Sequence, residues 1–103
     1  MKVLTQENFK KEIASGVVVV DMYADWCGPC RALSPILEEM DGKIEGATFT
    51  KLDVDTAQGL ATEYGVVSIP TVIIFKNGEE VNRITGLYPR QKYEEEIKSA
   101  LVI

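Results

Sequence analysis

Histidine is absent from the 103 residues. That excludes a Cys–His nucleophile pair, an imidazole general base and any histidine metal site. Cysteine occurs only at Cys27 and Cys30. Two thiols cannot complete a tetrahedral zinc site or hold an iron–sulfur cluster within one chain; a zinc shared between two chains stays open. Long apolar runs are missing too. The longest, Gly16 to Val20, falls far short of the ~20 residues of a membrane span. No basic excess exists: the net charge is -5, which argues against a nucleic-acid partner. Polar Thr5-Gln6-Glu7-Asn8 follows Met1-Lys2-Val3-Leu4 at once, without the apolar stretch of a secretory leader. The expectation is a cytoplasmic protein with no membrane association.

What remains is ordinary material for a globular fold, 46% apolar and 26% charged, with one domain expected over residues 1–103. The informative stretch is Trp26-Cys27-Gly28-Pro29-Cys30. Two cysteines separated by two residues can be brought within disulfide distance by one turn at a helix start. A cysteine at a helix N-terminus faces free backbone N–H groups and the positive end of the dipole, which favour the thiolate. The thiolate is the species that attacks a disulfide. In a reducing compartment such a pair reads as catalytic, not as a staple.

Periodicity supplies the surrounding elements. Val3 and Leu4 suit a short edge strand. Phe9 and Ile13 are four apart and suit a first helix ending near Gly16. Val17 to Tyr23 is β-branched and apolar except for Asp21, as in a strand covered on both faces. A helix is predicted from Gly28, with Leu33, Ile36, Leu37 and Met40 on one stripe, Pro35 as a kink and Gly42 or Gly46 closing it. Ala47 to Asp53 alternates as a strand, Thr56 to Tyr64 suits a short helix, and Thr71 to Phe75 a further strand. Asn77-Gly78 demands a tight hairpin with positive φ at both positions, returning through Val81 to Thr85. Pro89 suits a helix start, followed by an apolar face of Tyr93, Ile97, Ala100 and Leu101. The order β-α-β-α-β-α-β-β-α implies an α/β sheet with a parallel core and an antiparallel C-terminal hairpin.

The chain resembles the thioredoxin family almost end to end. The resemblance is carried by Val20-Asp21-Met22-Tyr23-Ala24-Asp25 before the cysteine pair, then Pro35, Lys51-Leu52-Asp53-Val54-Asp55, Ser68-Ile69-Pro70-Thr71 and Phe75-Lys76-Asn77-Gly78-Glu79. It implies the thioredoxin fold, a mixed five-stranded sheet flanked by four helices. It also implies protein-disulfide reduction, with a redox-active Cys27–Cys30 disulfide and no bound cofactor or metal.

Roles follow residue by residue, each beside a plainer reading. Cys27 is the attacking thiolate at an exposed strand-to-helix turn, against a buried inert thiol. Cys30, deeper in the helix, resolves the mixed disulfide, against a simple staple. Gly28 and Pro29 bring no charge to the sulfurs and favour a reductant. Asp21 is costly to bury ionised, so its pKa is expected to rise; it serves as proton acceptor for Cys30, against a solvent-facing carboxylate. By resemblance Lys51 tunes Asp21, against a solvated strand lysine. By resemblance Ile69-Pro70 is a cis peptide facing the disulfide, although a proline opening a strand needs no special meaning. Trp26, Val67, Ser68, Ile69, Gly86 and Leu87 form a docking surface, against plain core packing for Val67, Ile69 and Leu87.

The expected partners, by resemblance, are a thioredoxin reductase and disulfide-containing proteins such as ribonucleotide reductase, peroxiredoxins and methionine sulfoxide reductase, met by a monomer. Two rivals stand beside this: an oxidase or isomerase of the same fold, and a binding module that grips partners around Trp26. Tyr23, Asp25, Arg31 and the bulky Leu87-Tyr88 pair depart from common family members without touching the mechanism, and Tyr88 and Arg90 bear on which partners dock.

Overall fold

A computed structural model describes residues 1–103. Along the chain run β1 (Lys2–Val3), α1 (Phe9–Glu12), β2 (Val17–Tyr23), α2 (Gly28–Met40), β3 (Ala47–Asp53), α3 (Gln58–Glu63), β4 (Thr71–Lys76), β5 (Glu79–Thr85) and α4 (Arg90–Leu101). This is the expected order, and the sheet is the expected mixed one. Its strands lie β1-β3-β2-β4-β5. β2 pairs β3 in parallel and β4 antiparallel, and β4 pairs β5 antiparallel.

The central strand shows how two helical layers are served by one run of valines. Successive strand residues face opposite sides. Val17 and Val19 join Leu33, Leu37 and Met40 of α2 and Tyr93 and Ile97 of α4 in one cluster. Val18, Val20 and Met22 join Phe9, Ile13 and Leu60 in the other. Each such side chain removed from water contributes roughly 1.5–3 kcal/mol. Parity therefore puts Asp21, two residues beyond Val19, on the side covered by α2. Lys51, two residues beyond Phe49 of the first cluster, lies on that same side.

Local boundaries shift where side chains compete with propensity. The first helix is a single turn ending at Glu12, with Ile13 as its C-cap; Ile13 is buried and ends the turn by packing. The third helix is shorter than expected at both ends, and β5 starts two residues earlier, at Glu79. α2 continues through Pro35 to Met40. The hairpin has positive φ at Asn77 (52°) and Gly78 (87°), as its sequence requires.

Candidate functional site

β2 ends at Tyr23 and the chain turns through Ala24–Trp26 into α2, with Cys27 as the N-cap. Cys27 and Cys30 are joined as a disulfide with Cα atoms 5.2 Å apart. The Cys30 N–H points at Cys27 Sγ, 3.2 Å away, and the Arg31 N–H donates to the Cys27 carbonyl at 3.2 Å. Sulfur thus occupies the position where a serine or aspartate oxygen ordinarily caps a helix. When the disulfide opens, a thiolate there meets an oriented donor and the positive end of the helix. Pro29, within the first turn of α2, sits where a missing N–H removes no helical bond. Arg31 turns its guanidinium onto the Asp25 carbonyl at 2.7 Å.

The expectation of an exposed Cys27 is not met. In the disulfide form Cys27 is only 4% exposed, against 3% for Cys30. Both pack with Ala24, and Tyr23, Val54 and Ile69 lean against them. The bond itself covers one side of the sulfur, and the Ile69 carbonyl lies 3.8 Å from the other.

Beneath the pair lies Asp21, 1% exposed. Its Oδ1 has no hydrogen-bond partner, which is rare for a buried polar atom. Desolvation pushes its pKa up to about 7, with the Lys51 charge opposing that rise. Asp21 and Lys51 are register partners on adjacent parallel strands. Both line a cavity of about 170 Å³ together with Cys30, Ser34, Tyr23 and Arg31. Such a space has room for the water that links a buried carboxyl to a thiol. Lys51 stands over the Tyr23 ring, 5.2 Å from its centroid.

The Ile69–Pro70 peptide is cis. Thr71 secures the turn, its hydroxyl donating to the Ser68 carbonyl at 2.7 Å, and the Gly86 N–H donates to the Pro70 carbonyl at 2.8 Å. Trp26, Val67, Ser68 and Ile69 share a groove of about 360 Å³ beside the disulfide. Val67 is 96% exposed and Leu87 46%, so core packing does not account for either. Gly86 and Leu87 lie outside the groove, tied to it through Pro70.

A profile described as Thioredoxin matches residues 1–99. The chain belongs to the thioredoxin family. It is 47% identical over 87 residues to the thioredoxin of Chlamydia trachomatis serovar D, covering 84% of this chain and 85% of that one. It is 44% identical over 99 residues to the thioredoxin of Staphylococcus saprophyticus, covering 95% of each. A mutant thioredoxin from Halobacterium salinarum NRC-1 superposes with a TM-score of 0.90 at 35% identity, covering 99% of this chain and 91% of that one. Thioredoxins are thiol–disulfide oxidoreductases, and the redox-active group of this one is its own cysteine pair.

Two side chains that hold the surroundings of this thioredoxin's cysteine pair are not singled out by the sequence. Asp55 accepts the Trp26 indole N–H at 2.9 Å and lines the groove; it belongs to the Lys51–Asp55 segment that carries the family resemblance, but nothing in that segment pairs it with Trp26. Tyr93 reads as one member of an apolar helix face, yet its hydroxyl reaches the loop that carries Gly86. Such long-range polar contacts leave no periodic trace.

Proposed function

We propose that this chain is a protein-disulfide reductase, a thioredoxin of the Trp-Cys-Gly-Pro-Cys type, working as a cytoplasmic monomer through one domain. The observation that carries this reading is the cysteine pair at the α2 N-terminus, stacked above a cavity that holds a buried, partnerless carboxyl. Reduced Cys27 attacks one sulfur of a substrate disulfide. A Cys27–substrate bond forms, and the departing sulfur takes a proton from solvent. Cys30 then gives its proton to Asp21 through the cavity, and its thiolate attacks Cys27 Sγ. The Cys27–Cys30 bond forms and the second substrate sulfur leaves, so two electrons have passed to the substrate. Asp21 suits this task because an acceptor with a proton affinity near neutral both takes and releases its proton.

Lys51 supports the role of Asp21 by opposing its protonation across the shared cavity. Pro70 and its neighbours offer backbone alongside the disulfide for an extended substrate segment. Trp26, Val67, Ser68, Ile69, Gly86 and Leu87 supply the surrounding surface. Gly28 and Pro29 place no charge near Cys27, which favours a reducing couple. The oxidised protein is returned to the dithiol by a thioredoxin reductase. Substrates are proteins with accessible disulfides, of the kind formed by ribonucleotide reductase, peroxiredoxins and methionine sulfoxide reductase during turnover.

The deciding experiment is the reduction potential of the Cys27/Cys30 couple, set against a dithiothreitol buffer and read by thiol alkylation. A potential below that of the cytosolic glutathione pool is expected. A value well above it moves the chain to the oxidase and isomerase class. Absence of any reversible couple removes the redox reading altogether.

A further inference from the structure

Tyr93 is fully buried in the cluster between the sheet and helices α2 and α4. A phenol so placed needs partners for its hydroxyl. It has two. The hydroxyl donates to the Gly86 carbonyl at 2.9 Å and accepts the Tyr88 N–H at 3.2 Å. Desolvation raises the phenol pKa, so the donor proton stays in place.

Both partners belong to the connection between β5 and α4, beyond the last β4–β5 pair at Thr71 and Thr85. Gly86 has φ +100°, a conformation that side chains rarely adopt. Its N–H is given to the Pro70 carbonyl at 2.8 Å, and the adjoining Ile69 carbonyl lies 3.8 Å from Cys27 Sγ. A continuous chain of contacts therefore leads from the α4 interior to the reactive sulfur: Tyr93, Gly86, Pro70, Ile69, Cys27. Leu87, held between the two groups that Tyr93 binds, is presented to solvent.

We infer that Tyr93 is a positioning residue for protein substrates: its hydroxyl holds the Gly86–Tyr88 loop against the cis-proline loop, so that backbone and Leu87 meet an incoming segment preformed. This rests on the reductase reading. A residue with this role governs the docking of a polypeptide and not the chemistry at sulfur. A small disulfide, too short to touch the loop, is indifferent to it.

The test compares the wild-type chain with Tyr93→Phe, which keeps the ring and removes only the hydroxyl. Insulin reduction is followed at steady state with dithiothreitol as electron donor. Single-turnover reduction of the small aromatic disulfide dithiobis-nitrobenzoate is followed with pre-reduced protein. The KM for insulin is expected to rise roughly three- to tenfold, the range set by one hydrogen bond. The kcat and the small-disulfide rate stay within about twofold of wild type. Equal losses on both substrates, or an unchanged KM, overturn the proposal. Failure of wild-type protein to reduce insulin at all overturns the reductase reading and this inference with it. Amide hydrogen exchange gives a readout independent of activity. The Tyr88 N–H is expected to be protected in wild type and to exchange faster in the variant. An unprotected Tyr88 amide in wild type sinks the proposal even if the variant fails to fold.

Discussion

The two ends of strand β2 are built on opposite terms. At its start, Val17 follows Gly16, whose N–H donates to Asn77 Oδ1 at 2.9 Å while the Asn77 N–H returns to the Gly16 carbonyl at 3.0 Å. Every polar group named there has a partner, and the valines above are dry on both faces. At its finish, the strand buries Asp21 with an unpartnered oxygen, opens onto a cavity and leads into the Cys27–Cys30 disulfide. The first end contributes stability. The second gives some of it up, because a carboxyl that burial pushes up to about 7 costs on the order of 4 kcal/mol when ionised. One strand can carry both because the valine-rich half anchors the half that buries the acid.

The contrast is broken most severely at the cysteines. Cys30→Ser is expected to abolish turnover, by roughly a thousandfold or more, and to accumulate a covalent Cys27–substrate adduct on non-reducing gels. Failure of that adduct to accumulate reverses the assigned order of attack.

Next in size is Asp21→Asn. Because the folded-state pKa of Asp21 lies above its unfolded value, the folded protein holds the proton more tightly. Wild-type stability is therefore highest below the unfolded pKa near 4 and is lost as pH rises towards about 7. The variant lacks this loss. In urea unfolding of the oxidised forms, it should exceed wild type by about 2–4 kcal/mol at pH 8, with the gap closing near pH 4. Its turnover near neutral pH should fall about tenfold as proton acceptance is removed. A variant less stable at pH 8 means that Asp21 is compensated in a way its burial does not reveal.

At the other end, Asn77→Ala removes both a residue suited to positive φ and the bond to Gly16. A stability loss of about 1–2 kcal/mol is expected in the same unfolding assay. The reduction potential should not move, and a shift in it would show that the two ends are coupled.

Smallest is Asp55→Ala, which releases the Trp26 indole. The KM for insulin should rise about two- to threefold, the effect of one exposed hydrogen bond, with stability unchanged.

The sequence was most informative where structure is local. Val17–Tyr23 announced a two-sided strand, Asn77-Gly78 its turn, and the odd carboxyl in a valine run announced a buried acid. That Asp21 and Lys51 share one face emerged only with the strand register and the core clusters. The cis state of Pro70 came from resemblance alone, since nothing in an Ile-Pro pair demands it. The burial of Cys27 is not legible in its turn, which is ordinarily open, because Ile69, distant in sequence, closes over the sulfur. The Trp26–Asp55 and Tyr93–Gly86 bonds join residues whose pairing depends on the completed fold. The first helix stops early for the same reason: Ile13 answers to the core before it answers to propensity.

Trp26 is the chain's only tryptophan, 68% exposed and tethered at the mouth of the site. Its ultraviolet emission therefore originates from one place, next to the bond that opens and closes. A disulfide accepts an electron from an excited indole and darkens it, whereas a dithiol does not. The molecule thus carries an intrinsic optical gauge of its own oxidation state, and a stopped-flow trace of Trp26 brightness would time each half of the cycle without any label.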